Sequence, residues 1–530
     1  MNNGIRDTEL PNDIEALKAV IALRDATIER LTRRAELLQE QLNLAVARRY
    51  AARSEKSHPG QAQLFDEAEC AACVPESPDG MAEGAGDEAL VETVIPAHTR
   101  QKSGRRPLPA ALPRVEIVHE LPETARMCPH DGQVMEEIGE EVSEQLDIIP
   151  ATIQVLRHIR KKYACACGVG VHTVPLPPQP LPKTLASPGL LAHIVISKYQ
   201  DALPLYRQET ILQRMGVDLP RRATLAHWMI KAGVLAQPLI NLLRDQLLAY
   251  DIIQMDETPV QVLKETGKTA ESKSYLWVQR GGPPGHPIIL FDYDPSRGSA
   301  VPVRLLTGFT GILQTDGYTG YCAAVRAQGL THAGCLAHAR RKFDEAIKAQ
   351  GKHKKPGLAE AGLKQIQKLY AIEKAARDFT PADRHRYRQE YARPLWDTLQ
   401  AWLATCRPGV PPQTAVGKAL SYLHNEWDKL VIYLTDGRLA IDNNATENSI
   451  RPFCIGRRNW LFHDTVAGAK ASANLYSLIE TCKAAGLEPS HYLRRLFTDL
   501  PRAQTVEDLE ALLPHALATD PTLPRFTPRR

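Results

Sequence analysis

The hydrophobic period changes near residue 250, and this change constrains the fold more than any other feature of the sequence. From residue 188 up to that point, apolar residues recur at helical spacing. Between residues 250 and 336 they instead form short runs bounded by turn residues, a pattern typical of strands. The predicted strands span residues 252–263, 273–280, 287–292, 311–315 and 330–334. We therefore expect three early antiparallel strands followed by two strands that helices connect.

Three acidic residues stand in distinctive places relative to these elements. Asp256 and Asp316 each follow a short apolar run, so each carboxylate is expected at an edge of the sheet. Glu447 comes just after Asn and Thr capping residues, at the start of a predicted helix. Each acid taken singly also fits an ordinary turn or cap. The order strand-Asp, strand-Asp, helix-Glu is far more informative than any one member.

Such a trio suits the cleavage of phosphodiesters by two divalent metals. The reaction needs hard oxygen ligands that converge within a few ångströms, and Mg²⁺ favours sites built from a few carboxylates and the substrate's phosphate oxygens. The metals activate an attacking water or 3′-hydroxyl and stabilise the leaving oxygen. We expect Asp256, Asp316 and Glu447 to hold Mg²⁺ or Mn²⁺.

Composition excludes several classes of protein. The 530 residues suffice for three or four domains, and 43% hydrophobic with 24% charged residues is typical of globular proteins. No apolar stretch approaches the 18 residues of a membrane span, and the N-terminus has no signal-peptide pattern, so a cytoplasmic location is expected. Close cysteine pairs in such a chain suggest metal binding more readily than disulfides. The net charge of +4 does not by itself indicate nucleic acid.

Residues 13–53 are predicted to form a coiled-coil or leucine-zipper helix. Apolar residues occupy two heptad positions, with Arg24 as the one exception, and neither Gly nor Pro intervenes. The seam consists of Ile14, Ile21, Ile28, Ala35 and Leu42 at one position and Leu17, Leu31, Leu38 and Ala45 at the other. The pattern predicts pairing with another copy or a partner; the alternative is an amphipathic helix that packs on its own chain.

Residues 54–104 are predicted to be a flexible acidic linker. Within 61–99 there are nine Asp or Glu and no Lys or Arg, and Gly, Ala, Pro and Ser are abundant. The pair Cys70 and Cys73 has no strand or turn around it, so we do not expect it to bind metal in the folded protein.

Residues 105–175 form a small module with two turns that resemble zinc knuckles. Cys128 lies in the first turn, and Cys165 and Cys167 lie in the second. Because only three thiols are present, a fourth zinc ligand has to come from His130, Asp131 or His172. The alternative is a β-rich module that needs no metal.

Residues 185–249 read as a helical region of helix-turn-helix type. Two helical patterns flank a turn at Gly216, and Arg214, Arg221 and Arg222 surround that turn. An ordinary helical hairpin fits the same pattern. A proline-rich connector precedes this region at residues 175–182.

A helical insertion at about 344–440 separates the last strand from Glu447, with Trp396, Trp402 and Trp427 as expected core anchors. Upstream of it, Cys335 and His338 lie one helical turn apart and could bind metal or pack beside the acids. Basic residues around the acids, with one aromatic neighbour, suit contacts to a distorted DNA end. The expected DNA contacts are Arg340, Arg341, Lys342, Arg451, Arg457, Arg458 and Trp460. Residues 463–530 are predicted to form a helical C-terminal domain.

These residues together resemble the transposases of IS66-type bacterial insertion sequences, a family of DDE transposases. The likeness covers nearly the whole chain, from the N-terminal zipper and the knuckle module to the C-terminal helices. The matching segments are residues 203–208, 255–258, 315–318, 335–343, 443–452, 456–462 and 476–483. The layout of residues 250–462 is similar to that of ribonuclease H.

The resemblance implies a ribonuclease H-like core in which Asp256, Asp316 and Glu447 form the DDE triad. It also implies recognition of terminal inverted repeats and target DNA, DNA strand cleavage and strand transfer, and one or two small companion proteins of the same element. The family usually has a second Cys where Asp131 stands here, so Asp131 would be an oxygen ligand if zinc binds with Cys128, Cys165 and Cys167. Rival interpretations are a DNA-binding repressor without catalysis and a structure-specific nuclease without strand transfer.

Overall fold

A computed structural model describes residues 13–49, 152–164, 171–173, 175–218, 220–283, 285–350 and 357–526 of the chain. The chain divides into two compact units, one formed by residues 1–75 with 160–530 and the other by residues 76–159. Of the second unit, residues 152–159 are described, and they form neither helix nor strand. All elements below belong to the first unit.

A mixed sheet of six strands organises this unit. Strands β3, β4 and β5 form an antiparallel meander, while β6 pairs with β3 in parallel and β7 pairs with β6 in parallel. The strands are β3 (Ile252–Lys264), β4 (Lys273–Gly281), β5 (Ile288–Asp294), β6 (Ile312–Gln314), β7 (Thr331–Ala333) and β8 (His463–Thr465), which joins the far end of β3. The five predicted strands are confirmed within two residues at every boundary. A separate hairpin joins β1 (Lys162–Ala164) and β2 (Val171–Thr173).

Helices supply the crossovers that parallel strands require. Helix α6 (Ala300–Leu305) lies between β5 and β6, and α7 (Tyr321–Gln328) connects β6 to β7. Before the sheet come α2 (Pro188–Tyr199), α3 (Leu205–Arg214), α4 (Arg222–Leu235) and α5 (Gln237–Leu248). Gly216, with φ of +82°, lies in the turn between α3 and α4, a backbone conformation that side chains disfavour.

The C-terminal helices cover one face and one edge of the sheet. They are α14 (Asn444–Trp460), α15 (Val466–Ala484), α16 (Pro489–Asp499), α17 (Val506–Glu510) and α18 (Pro514–Leu517). The hydroxyls of Ser477 and Thr481 on α15 accept hydrogen bonds from the backbone N–H groups of Phe291 and Ile289 on the edge strand β5. Helix α15 therefore satisfies a sheet edge that would otherwise be open to pairing.

Between β7 and α14 the described residues are mainly helical and build a second hydrophobic core. The helices are α8 (Leu336–Gln350), α9 (Leu358–Ala375), α10 (Pro381–Tyr387), α11 (Arg393–Cys406), α12 (Ala415–Asn425) and α13 (Trp427–Leu430). Trp396 is buried in this core and packs edge-on against Trp427, while Trp402 packs against Phe343. The tryptophans therefore anchor the core as the sequence predicted.

A single long helix, α1 (Ile14–Arg49), precedes these elements, and its C-terminal part packs against α8. Asn43 donates a hydrogen bond to the carbonyl of Ala349 at 2.9 Å, and Glu40 accepts one from the N–H of Ala415 at 3.0 Å. The described seam residues between Ile14 and Leu42 nevertheless remain on the surface. Across the described ranges, no helix has the length and apolar character that crossing a membrane requires.

Candidate acidic site

The sheet register brings the two aspartates to neighbouring strands at one end of the sheet. Gln254 of β3 is paired with Gln314 of β6, and the strands run in the same direction. Asp256 and Asp316 each follow two residues later. The antiparallel strand β4 continues alongside β3 past Asp256, so the site opens where β6 stops.

Helix α14 carries Glu447 in its first turn, and its start is bonded to the same strand. The side-chain amide of Asn443, the residue before the helix, donates to the carbonyl of Met255 at 3.2 Å. Glu447 is thereby held beside Asp256, although it lies 131 residues beyond Asp316 in the chain. We call Asp256, Asp316 and Glu447 the acidic site.

The electrostatics of Asp256 indicate that the three carboxylates interact. Burial raises the pKa of Asp256 well above its ordinary value, and the negative charges of Glu257, Asp316 and Glu447 raise it further. Mutual repulsion between carboxylates in a half-buried position favours either a proton or a bound cation. Hard oxygen donors that repel one another fit a divalent cation such as Mg²⁺ or Mn²⁺.

Backbone hydrogen bonds orient the two aspartates. Asp256 Oδ1 accepts the N–H of Glu257 at 2.8 Å, and Asp316 Oδ1 accepts the N–H of Tyr318 at 2.9 Å. The second contact is the local turn that Asp favours when it follows a strand. Each aspartate uses one oxygen in this way.

Glu447 is 4% exposed and faces helix α8. His338 Nε2 lies 3.8 Å from Glu447 Oε1, and an Arg341 nitrogen lies 3.8 Å from Oε2. Burial and the nearby Arg341 charge lower the pKa of His338 to about 4, so this imidazole is neutral at pH 7. The positive neighbour of Glu447 from this helix is therefore Arg341, not His338.

A second set of potential ligands overlaps the acidic site. One ligand atom each from Cys335, His338 and Glu447 lies within 4.8 Å of the others. The Cys335 sulfur accepts the N–H of Asn443 at 3.2 Å, and burial raises the pKa of the thiol well above its usual range. Cys335 thus packs beside the acids and joins the start of α8 to the start of α14.

A fourth carboxylate beside the acidic site was not singled out from the sequence. Glu257 accepts hydrogen bonds from Tyr321 at 2.5 Å and from Arg297 at 2.7 Å. Arg297 in turn stacks on the ring of Tyr318, with 4.1 Å between the guanidinium carbon and the ring centre. Glu257 is therefore already bonded on the opposite side of β3 from Asp256, because adjacent strand residues face opposite ways. Its position directly after Asp256 was the only signal in the sequence.

The structure places the residues expected to contact DNA in different environments. Arg340 is 8% exposed, so its guanidinium lies inside the protein, whereas Arg458 is exposed. Lys342 lies over the ring of Tyr422, Arg457 donates to the carbonyl of Pro259, and Arg451 is half-buried. These side chains lie on α8, which packs beside Glu447, and on α14, which carries it.

Trp460 packs within the protein rather than standing free on its surface. Its indole lies edge-on against Phe453, with ring centres 5.5 Å apart, and 4.7 Å from the ring of His463. Lys198 lies over the indole at 5.1 Å. These are the contacts of an aromatic residue packed at the edge of the core.

The predicted zinc ligands Cys128, Asp131, Cys165 and Cys167 lie outside the described residues, as does His130. The acidic linker at 54–104 also lies outside them. Of the knuckle module, the described parts are the backbone of the β1–β2 hairpin and the exposed residues that lead into it.

The fold and the site define a mixed α/β protein with a carboxylate cluster suited to divalent cations. The model of the Transposase IS66 family matches residues 183–471, which is more than half of the chain, and the protein belongs to this family. The zinc-finger binding domain of transposase IS66 matches residues 125–168, and the IS66 C-terminal element matches residues 477–515. A further model, Transposase C of IS166 homeodomain, matches residues 37–117.

Similar proteins occur in Sinorhizobium fredii (strain NBRC 101917 / NGR234). The chain is 34% identical over 422 residues to the uncharacterized protein y4jD, covering 77% of this chain and 81% of that protein. It is 30% identical over 414 residues to the uncharacterized protein y4hP, covering 75% and 74%. Family membership implies a transposase that binds DNA and uses divalent metal, and the zinc-finger match implies zinc binding.

Proposed function

We propose that this protein is a DDE transposase that cleaves DNA at the terminal inverted repeats of an insertion sequence and joins the freed ends to target DNA. Asp256, Asp316 and Glu447 are its catalytic and metal-binding residues. The observation that carries the proposal is geometric: Asp256 and Asp316 each lie two residues beyond register partners on parallel strands, and Asn443 at the start of the helix that holds Glu447 donates to the carbonyl of Met255. The negative charges of Asp316 and Glu447 raise the pKa of Asp256, which agrees with three carboxylates placed close enough to bind one cation.

The strand order supports a ribonuclease H-like core. Three antiparallel strands are followed by two parallel strands on the other side of β3, which is the layout of that fold. In this proposal residues 250–462 are the catalytic domain, and the helices at about 344–440 are an insertion that returns the chain to the sheet at α14. Residues 185–249 and 463–530 are the flanking helical domains, and 105–175 is a module with structural Zn²⁺.

The protein's own residues hold and orient the reacting groups. Asp256 and Asp316 each keep one oxygen on a backbone N–H, which leaves the other oxygen for a cation. Glu447 completes the set from the helix side. Mg²⁺ or Mn²⁺ bound there would supply Lewis acidity, activating the attacking hydroxyl and stabilising the leaving oxygen. Because the same site can act on water and on a DNA 3′-hydroxyl, no covalent protein–DNA intermediate is required.

DNA would approach along α14, which carries Glu447, and α8, which packs beside it. Arg341 and Lys342 on α8, with Arg451, Arg457 and Arg458 on α14, are the proposed contacts to phosphates. Arg341 has 38% of its side chain exposed and already lies beside Glu447, so it suits a scissile phosphate. Arg340 is buried and Trp460 is half-buried in the folded chain, and both would act by supporting these helices.

The decisive experiment is cleavage of a labelled terminal-repeat duplex in the presence of Mg²⁺. We expect nicking by the wild-type protein and none by Glu447→Gln. Glu507→Gln is the matched control, because Glu507 also lies in the first turn of a helix but is exposed and remote from the sheet. Specific binding without nicking by any protein would favour an end-binding repressor, and nicking of branched DNA regardless of sequence would favour a structure-specific nuclease.

We also propose that α1 pairs with a second copy, so that one protomer serves each transposon end. Ile21, Ile28, Leu31, Leu38 and Leu42 are all more than half exposed on this helix, an arrangement that a coiled-coil partner would bury. Small companion proteins of the same element could bind the assembled complex.

Replacing two seam leucines should separate the protomers. Leu31→Asp with Leu38→Asp is expected to raise the dimer dissociation constant at least about a hundredfold, since each buried leucine contributes about 1.5–3 kcal/mol. Sedimentation equilibrium of the full chain measures the change. Leu23→Asp is the control, because Leu23 is 71% exposed but lies off the seam. An unchanged mass for the double variant would show that α1 packs on its own chain alone.

A further inference from the structure

The two strands that carry the aspartates share a motif that the acidic site does not use. Gln254 precedes Asp256 by two residues, and Gln314 precedes Asp316 by two residues. The two glutamines are register partners on parallel strands, and they are 9% and 0% exposed. Because side chains alternate along a strand, Gln254 lies on the same face of β3 as Asp256. The glutamine pair therefore lies next to the acidic site within the protein.

The two amides bond directly to each other and have one consistent orientation. Gln254 Nε2 donates to Gln314 Oε1 at 2.7 Å. Gln314 Nε2 then donates to two backbone carbonyls, those of Ala440 at 2.8 Å and Gly334 at 3.1 Å. Reversing the Gln314 amide would place its oxygen against two other acceptors, so the arrangement is specific.

The remaining bonds of Gln254 reach the helix that holds Glu447. Gln254 Oε1 accepts the hydroxyl of Thr446 at 3.0 Å, and its amide also donates to the carbonyl of Asp442 at 3.4 Å. Thr446 is fully buried and immediately precedes Glu447. Both side-chain oxygens and the N–H groups of the pair are thus engaged, which is the condition under which a buried polar network specifies one geometry.

The pair also bonds the segment that re-enters the sheet after the helical insertion. Ala440, Asp442 and Thr446 are separated from β6 by more than 120 residues of chain, so no local structure fixes their position. The glutamine pair fixes it by three separate bonds, and the carbonyl of Gly334 extends the network to the turn before α8. These bonds fix the start of α14, and with it Glu447, relative to the two strands that carry Asp256 and Asp316.

We propose that Gln254 and Gln314 are positioning residues that set Glu447 at the correct distance from Asp256 and Asp316 for sharing divalent cations. The inference rests on the proposed function of the acidic site and deepens it. The glutamines do not contact the reacting atoms. They act through Thr446 and through the backbone that leads into α14.

The test uses variants that keep the side-chain volume but remove the hydrogen bonds. Gln314→Met removes the link to Ala440 and Gly334, and Thr446→Val removes the link to Gln254. The matched control is Gln279→Met, because Gln279 is also fully buried in the sheet but is paired with Met255 and bonded to Asp292. Gln279 therefore faces the other side of the sheet from Gln254.

Two readouts on the full chain distinguish positioning from general stability. The first is Mn²⁺ binding followed by electron paramagnetic resonance, where the relevant site is the one that Asp256→Asn removes. The second is the Mg²⁺ concentration that gives half-maximal nicking of a terminal-repeat duplex. We expect Gln314→Met and Thr446→Val to weaken Mn²⁺ binding and to raise the Mg²⁺ midpoint at least tenfold. Binding of the duplex should stay within about twofold, and Gln279→Met should leave the metal dependence unchanged.

The double variant Gln254→Met with Gln314→Met gives a further check. The two side chains share a bond, so the double variant should raise the Mg²⁺ midpoint by less than the product of the increases in the two single variants. Wild-type metal dependence in Gln314→Met would overturn the inference while leaving the proposed function intact, and so would equal losses in Gln314→Met and Gln279→Met.

Failure of the proposed function has a different signature. If the wild-type protein has no Mn²⁺ site that Asp256→Asn removes, the acidic site is not a metal site and the inference falls with it. If Mn²⁺ binds there but no DNA is nicked, cleavage is in question while the metal-binding readout still decides the role of the glutamines.

Discussion

Asp256→Asn should abolish DNA nicking and leave binding of the terminal repeats intact. The variant removes a charge that would hold a cation, while the shape and the hydrogen bond from Glu257 are retained. Metal ions stabilise such transition states by several kcal/mol, and each ~1.4 kcal/mol is a factor of ten in rate. We therefore expect a loss of about a thousandfold or more, measured as the initial rate of nicking on a labelled duplex.

The same substitution should not destabilise the metal-free protein. Burial and three neighbouring carboxylates raise the pKa of Asp256 above its ordinary 3.8, so the folded chain holds the proton more tightly than the unfolded chain. That stabilising contribution is complete below about pH 4 and is lost as the pH rises through the raised pKa. At pH 7 to 8 the asparagine is neutral, so it neither carries a buried charge nor repels the neighbouring carboxylates. The melting temperature of Asp256→Asn without metal should therefore equal or exceed that of the wild type.

Added Mg²⁺ should then produce a difference in melting temperature between the wild type and Asp256→Asn, because a ligand stabilises only the folded state that binds it. The melting temperature of the wild type should rise with Mg²⁺, and that of Asp256→Asn should not. Asp251→Asn is the control, since Asp251 lies just before the same strand but is exposed and paired with Arg438. Loss of both nicking and duplex binding in Asp256→Asn would indicate a folding defect and contradict the catalytic assignment.

The second large effect is expected in the helical insertion, at a buried arginine. Arg388 is 1% exposed and lies in a single π-helical turn between α10 and α11. Its Nε and one Nη donate to the carboxylate of Glu373 at 2.9 and 2.6 Å. Its other donors reach the carbonyls of Tyr433, Asp436 and Leu439 at 2.8 to 3.0 Å. All five N–H groups of the guanidinium are therefore used.

Arg388→Met should lower the free energy of unfolding by about 3–5 kcal/mol, the usual cost of removing one partner of a buried ion pair. The carboxylate of Glu373 and the three carbonyls would lose their bonds to the guanidinium. Urea unfolding followed by circular dichroism measures the change. Arg386→Met is the matched control, because Arg386 lies in the same region but pairs with Asp383 on the surface, where such pairs contribute about 0–1 kcal/mol. Equal stability of the two variants would contradict the role of Arg388.

This arginine also connects the insertion to the acidic site. It bonds the carbonyl of Leu439, and the next residue, Ala440, accepts the amide of Gln314. The path from the insertion core to Glu447 is thus held at successive residues by Arg388, Gln314 and Gln254. This continuity explains how a long helical insertion can separate Asp316 from Glu447 without displacing the glutamate.

The strands and the acidic residues at their ends could be predicted because their signals are local. Alternation, turn residues and capping residues lie within a few positions of Asp256, Asp316 and Glu447. The tryptophans of the insertion were predictable for a similar reason, since large apolar side chains on helices are buried wherever a core forms. The side of a helix that faces solvent was harder to predict from the sequence. Arg340 reads as a surface residue in a basic run but is buried.

The amino-acid sequence alone determined the order of helices and strands and the family, and it singled out the three acids. Each of these depends on residue types at fixed spacings along the chain. Only the tertiary structure decided which polar residues surround those acids. Gln254 and Gln314 read as ordinary strand residues until the parallel register places them side by side, and Thr446 reads as a cap residue until its hydroxyl meets Gln254. Hydrogen bonds between residues 60 or more positions apart leave no periodic pattern in a sequence, since they depend on how separate elements pack.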